Sequence, residues 1–383
     1  MSRARHALVF LITSLNGGGA QKVLSGLIER LRRTWDIRVV LTDANPEKEV
    51  YAEGLERLSV PIARIRNHRH FGLPLKILSI RRVILKNRPD VVSSWMTGPN
   101  ALCGMALLGT KIPYVLSERV DTRVALKNFA WHPRLFSFLF RKSFSGKNAK
   151  AVVACAKGLA DILRGEFPTN AEIVSIQNGI DTEALAAQSA EPLPEEARRL
   201  FDGKTIVAVG RLDAQKDYPT LFRALAGGGP ETAKARLLIL GEGALEPGLR
   251  ETARELGVGD RVFFCGFRKN PHSWVSRADV YALCSTHEGF PNALAEAMFT
   301  NGHCVSTDCP TGPDEIIENE KSGLLVPVGD ERALSEALER MLSDGELRNR
   351  CAENAKNWAL DHSLDQTARE WDKVLRQAAG IDD

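Results

Sequence analysis

Val280-Tyr281-Ala282-Leu283-Cys284, the turn-forming Glu288-Gly289-Phe290-Pro291 and the run Asn292–Thr300, closed by Gly302, decide the fold. A short apolar run reads as a buried strand, glycine and proline make the turn, and the apolar spacing after it reads as a helix. Working outward, the same strand–loop–helix unit recurs. Strands are expected at Thr205–Val209, Arg236–Leu240, Val262–Cys265, Cys304–Thr307 and Gly323–Val326. Before them come Ala7–Leu15, Ile37–Thr42, Val91–Trp95, Tyr114–Glu118, Ala151–Cys155 and Glu172–Ile176. Short Val/Ile/Leu-rich strands separated by helix-length amphipathic stretches predict parallel sheets covered on both faces. The alternation pauses at Ala190–Pro194, which predicts a first α/β domain over 1–190, a second over 191–362 and a terminal segment over 363–383. The fold class is two Rossmann-like domains facing across a cleft, with ligands beyond the carboxyl ends of the strands. The helical stretch Leu364–Arg376 either packs back on the first domain or caps the second.

Charge divides along the same line. Residues 1–185 carry 28 Lys and Arg against 15 Asp and Glu, whereas residues 186–383 carry 23 against 33. Domains of opposite sign imply different partners. Arg64, Arg66, Arg69, Lys76, Arg81, Arg82, Lys86 and Arg88 precede the next acid, Asp90, and a second cluster holds Arg134, Arg141, Lys142, Lys147 and Lys150. Within Leu73–Lys86, leucines and valine alternate with cations, which fits either a basic amphipathic helix on an anionic surface or a solvated face. Nucleic acid is disfavoured because no base-reading motif appears.

Across the 383 residues, 44% are hydrophobic and 26% charged, a globular composition that excludes disorder and collagen-like structure. Seven cysteines without a Cys-x-x-Cys pair exclude a disulfide scaffold and a zinc framework, leaving reduced core thiols. No apolar run reaches the ~18–20 residues of a spanning helix. Arg3 and Arg5 before Ala7–Leu15 imitate a signal peptide, but no cleavage site follows, and the expected compartment is the cytosol. His68, His70, His132, His272 and His362 show no metal-ligand spacing.

Three post-strand loops hold candidate chemistry. Asn16-Gly17-Gly18-Gly19-Ala20 suits either an anion at a helix N-terminus or a tight packing turn. Its spacing is not that of a nicotinamide dinucleotide site. Gly210-Arg211-Leu212-Asp213-Ala214-Gln215-Lys216 places two cations where they either converge on a diphosphate or serve as surface charges. Glu296 interrupts an apolar helix face and so needs hydroxyl or cationic partners, while Glu288 precedes that helix. Alone, these two also fit a turn and one satisfied carboxylate.

Taken together, Gly210-Arg211-Leu212, Lys216 and the Glu288…Glu296 spacing resemble the retaining glycosyltransferases of family four, which have the two-domain B-type fold. Gly17-Gly18-Gly19-Ala20-Gln21-Lys22 is similar to the Gly-Gly-Ala-Glu-Arg element of a branch that includes hexosaminyltransferases of lipid-linked oligosaccharides. Ser117-Glu118-Arg119 and Cys309-Pro310-Thr311-Gly312-Pro313 resemble that branch too, and the likeness runs from about residue 7 to residue 372.

The resemblance implies that Arg211 and Lys216 hold the donor diphosphate, Glu296 the ribose, and Glu288 the donor sugar. Gly289, Phe290, Pro291 and Asn292 would lie along the sugar and β-phosphate, and Gly210 would belong to the donor site. Gly266 and Phe267 would meet the base, with Gly18 and Gly19 opposite. Gln21-Lys22 replaces the branch's Glu-Arg, and Arg119 stands where many members carry a sugar-positioning His. Glu118 and Arg119 are acceptor-side candidates, Arg119 pairing with Glu118 or with an acceptor phosphate.

The implied reaction moves a hexose or N-acetylhexosamine from a nucleotide sugar, a UDP-sugar before GDP-mannose, to a lipid-linked or glycan acceptor with retention. A sugar-nucleotide epimerase and a non-catalytic sugar-binding module are the alternatives on the same fold. No Asp-x-Asp motif lies in a post-strand loop, so no metal and no cofactor is expected. The basic half is assigned to the acceptor, with Lys76, Arg81, Arg82 and Lys86 expected to hold the protein to the cytoplasmic face of an anionic membrane.

Overall fold

The computed structural model describes residues 5–65, 72–127 and 133–381. Arg3, Arg66, His68, Arg69, His70 and His132 lie outside the described residues. The chain forms two compact units, one of residues 1–179 with 364–383, the other Ile180–Ser363.

In the first unit β1 (His6–Ile12), β2 (Trp35–Leu41), β3 (Ile62–Arg64), β4 (Val91–Trp95), β5 (Tyr114–Glu118), β6 (Ala149–Ala154) and β7 (Glu172–Ser175) form one parallel sheet. Its order is β3-β2-β1-β4-β5-β6-β7. The run Ala7–Leu15 that imitates a signal peptide therefore contributes most of a central strand, His6–Ile12, paired on both sides in register, with Phe10 opposite Val39 and Ser93. β3 was not among the expected strands.

The helix Leu364–Ala379 completes this unit. Leu364, Ala368, Trp371, Leu375 and Ala378 recur at helical spacing and are buried. Trp371 stacks on Trp95 with centroids 5.0 Å apart, the Trp35 Nε1–H donates to Asp372 at 2.6 Å, and Arg30 pairs with Asp365 at 3.0 Å.

In the second unit β8 (Thr205–Val209), β9 (Arg236–Leu240), β10 (Val262–Phe264), β11 (Val280–Leu283), β12 (Cys304–Thr307) and β13 (Leu324–Val326) form a parallel sheet ordered β10-β9-β8-β11-β12-β13. The division between units falls at Gly179–Ile180 rather than at 190. The helix Thr182–Ala190 packs on the helices His272–Val275 and Asn292–Thr300, and buried Leu193 anchors the Pro192–Pro194 stretch read as a linker. Strand order reverses between β1 and β4 in one sheet and between β8 and β11 in the other. A crevice opens beyond the carboxyl ends at such a point, so the loops after β8 and β11 are the place to look for chemistry.

Candidate active site

Those two loops are joined. Lys216 Nζ lies 2.7 Å from Glu288 Oε1, both side chains nearly buried, and the Ser285 hydroxyl donates to the same oxygen at 2.6 Å. The Gln215 side-chain amide donates to the His287 carbonyl at 2.8 Å, and the Gln215 carbonyl accepts from the Thr286 amide at 2.8 Å. Gly210 makes room for the lysine: a Cβ there would sit 2.9 Å from Lys216 Cε. Two donors on Oε1 leave the other carboxylate oxygen, Oε2, for a ligand hydroxyl.

Arg211, the other cation expected at the diphosphate, stands on the same loop. The Arg211 side chain is 75% exposed and meets Asp213 at 3.1 Å and Gln215 at 3.5 Å. A loop residue with an acid two positions on finds that local partner before a distant one.

Glu296 stands on the helix Asn292–Thr300 and meets His272 Nε2 at 3.4 Å, within the same unit. Gly289, Phe290 and Pro291 are buried in the turn leading to that helix, and Asn292 is its first residue. The Gly266 carbonyl accepts from the Gly241 amide at 2.9 Å, and the Phe267 amide donates to Glu242 at 3.3 Å while its ring is 61% exposed.

In the first unit Gly18 caps the helix Gly19–Leu31, and Gln21 on that helix contacts the sulfur of Met96 at 3.9 Å. Met96 itself lies beyond β4 in the left-handed region, φ 76°. Glu118 is fully buried, accepting from Thr97 at 2.7 Å, Asn100 at 2.6 Å and Thr122 at 3.3 Å. Burial pushes its carboxyl up to about 7 against these hydrogen bonds.

Arg119 is buried, and among the described residues its hydrogen bond goes to Asn178 rather than to Glu118. Its guanidinium stacks 3.8 Å over Trp95, lies 5.4 Å from Trp371 and donates to Asn178 at 2.6 Å. The planar cation finds two indoles, a contact a lysine would not reproduce.

The basic patch divides. Arg82 and Lys86 are exposed. Arg81 donates to the carbonyls of Ala106 and Leu108 at 2.9 and 2.7 Å, closing the end of the helix Thr97–Ala106. Lys76 is half-buried, and its pKa is lowered by that burial against the opposing charge of Asp43. Of the four, two are therefore structural or inward-facing. Sequence reasoning gave no site role to Ser285, three residues before its partner Glu288, nor to Gln215, His272 and Thr311, whose partners His287, Glu296 and Glu288 are more than twenty positions away.

Two parallel α/β sheets of this order define the B-type glycosyltransferase fold. Residues 17–184 match the family model described as Glycosyltransferase Family 4 and residues 193–358 the one described as Glycosyl transferases group 1. Each matched stretch spans most of one half of the chain. The chain is 28% identical over 378 residues to N-acetylgalactosamine-N,N'-diacetylbacillosaminyl-diphospho-undecaprenol 4-alpha-N-acetylgalactosaminyltransferase of Campylobacter jejuni, covering 96% of this chain and 99% of the relative. It is 26% identical to the lipopolysaccharide core biosynthesis glycosyltransferase LpsE of Rhizobium meliloti, covering 73% of each. Among solved structures, Anabaena HepE in complex with UDP-glucose superposes with a TM-score of 0.81 at 18% identity, over 97% of this chain and 99% of that one.

Proposed function

We propose that the protein transfers a hexosyl or N-acetylhexosaminyl group from a UDP-sugar to a lipid-linked saccharide or related glycan, with retention and without a metal ion. The carrying observation is the Lys216–Glu288 pair at the β8–β11 strand reversal. The Campylobacter relative, named for N-acetylgalactosaminyl transfer to an undecaprenol-linked saccharide, and HepE, bound to UDP-glucose, support the choice of donor and acceptor.

Breaking the sugar–phosphate bond leaves negative charge on the diphosphate. Lys216, Arg211 and the main-chain amides entering the helix Asn292–Thr300 would stabilise it. Glu288 Oε2 would accept a sugar hydroxyl, Glu296 the ribose hydroxyls, and Gly266–Phe267 would border the base. In a same-face attack the acceptor oxygen bonds the anomeric carbon as the diphosphate oxygen departs, and the acceptor proton passes to that oxygen. Glu288 orients and supports the sugar and forms no covalent bond.

Peripheral attachment to an anionic membrane belongs to this reading. The helix Gly72–Asn87, the helix Thr97–Ala106 and the helix Pro133–Phe144 pack side by side in the first unit, and none carries a carboxylate. They and the adjoining Leu108 leave Leu75, Leu78, Leu85, Leu108, Leu135 and Phe138 exposed, interleaved with Arg82, Lys86, Arg134, Arg141 and Lys142. Apolar side chains among cations, on helices that carry no carboxylate, suit a bilayer of anionic lipid. Among the described residues no helix is long and apolar enough to cross a membrane.

The test is UDP release from UDP-N-acetylhexosamine and UDP-hexose, with and without a polyprenyl-diphosphate-linked saccharide and with excess chelator. Acceptor-dependent release that survives chelation is expected. Interconverted nucleotide sugars, or binding without turnover, would displace the proposal.

A further inference from the structure

The segment Cys309–Pro313 after β12 takes no part in the chemistry above, yet it is folded onto the Glu288 turn. Thr311 is buried with φ 73°, a strained conformation that a β-branched residue rarely adopts. Something must hold it there. Its hydroxyl donates to the main-chain carbonyl of Glu288. The next residue, Gly312, has φ 104°, and a Cβ on it would fall 2.6 Å from Pro291 Cδ and 3.3 Å from Phe290 Cα. Four residues upstream of Thr311, the Thr307 hydroxyl donates to the carbonyl of Ser285 at 2.7 Å. Ser285 is itself a donor to Glu288 Oε1.

We infer that Thr311 is a positioning residue that fixes the carboxylate of Glu288 against Lys216 by holding the Glu288 carbonyl from behind. Thr307 and Thr311 grip the chain at Ser285 and at Glu288, and Gly312 lies flat on Phe290–Pro291. The loop after β12 thus sets the path of the β11 loop from its first residue to the start of the helix Asn292–Thr300. A hydroxyl at 311 and a residue without Cβ at 312 are both required, because one supplies the bond and the other the close approach. The inference rests on the proposed transfer only for its effect on rate. The geometric part stands independently.

The first measurement needs no substrate. The coupling between Lys216 and Glu288 is obtained by chemical denaturation of the parent, K216Q, E288Q and the double variant, then repeated in a Thr311→Val background. Valine keeps the shape and removes the hydroxyl, and the coupling is expected to fall by more than half. An unchanged coupling would overturn the inference whatever the protein catalyses.

The second measurement is steady-state transfer. T311V is expected to lose turnover by about 10–10²-fold with a small change in donor KM, as befits a displaced reacting group. Thr311→Ser restores the hydroxyl and most of the turnover. Thr311→Gly removes the strain and the hydroxyl together, so it loses turnover without losing stability. Full activity in T311G, or a T311V defect that follows only its folded fraction, would reduce Thr311 to a structural role. A parent that transfers no sugar would defeat the proposed function and leave the coupling result intact.

Discussion

Lys216 and Glu288, 72 positions apart in sequence, meet at 2.7 Å across the point where the second sheet reverses its strand order. The side chains are 15% and 9% exposed, so each charge has surrendered most of its water and depends on the other.

Breaking that pair from one side strands a charge. Lys216→Ala is expected to cost about 3–5 kcal/mol of stability, with much of it recovered when Glu288→Gln is added. Transfer should fall by roughly 10²–10³ in K216A if the lysine stabilises the leaving diphosphate. Urea unfolding and initial-rate assays on the same preparations check both. A turnover loss below tenfold would remove Lys216 from the chemistry while leaving its structural part.

Much of this was legible before any coordinates. Strands flagged by apolar runs recur as strands, and the helix Asn292–Thr300 appears at its expected limits, because Pro291 and Gly302 bound it locally. The edge strand Ile62–Arg64 was not legible: three residues give no period to read. Nor was the unit boundary, since the helix Thr182–Ala190 declares its allegiance only through packing. Lys216 and Glu288 were legible as candidate site residues through their loops. His272 and Thr311 meet Glu296 and Glu288 across long stretches of chain, and no local spacing encodes that. Arg119 shows the same limit, its partners Trp95, Asn178 and Trp371 being spread over most of the chain.

Glu118 makes stability depend on pH. Its carboxyl is raised from the ordinary 4.5 to about 7 by burial. Between those values the folded chain holds a proton that the unfolded chain has released. Its contribution is therefore full below about pH 4.5 and is lost as pH rises through 7, by about 3 kcal/mol in all. Glu118→Gln keeps a neutral side chain among Thr97, Asn100 and Thr122 and abolishes this component. Denaturation midpoints of parent and E118Q at pH 5, 6, 7 and 8 should diverge, the variant gaining on the parent as pH rises. Parallel curves would contradict the assignment.

The exposed face of the helix Gly72–Asn87 offers a cleaner test of membrane attachment than the whole basic half does. Leu75, Leu78, Arg82, Leu85 and Lys86 are exposed, while Ile80 and Ile84 are buried and Arg81 is engaged with carbonyls. Arg82→Gln with Lys86→Gln therefore removes charge without touching the packing. At about 1 kcal/mol per cation near an anionic surface, the pair should lower partitioning onto phosphatidylglycerol vesicles by about thirtyfold. Leu78→Ser with Phe138→Ser should weaken binding to the same vesicles with little change in its salt dependence, because it removes buried apolar area and not charge. Flotation is the measurement, with phosphatidylcholine vesicles as the neutral comparison. Equal recovery of the parent on both lipids, or of the charge variant and the parent on the anionic one, would separate this face from the membrane and return its leucines to ordinary surface exposure.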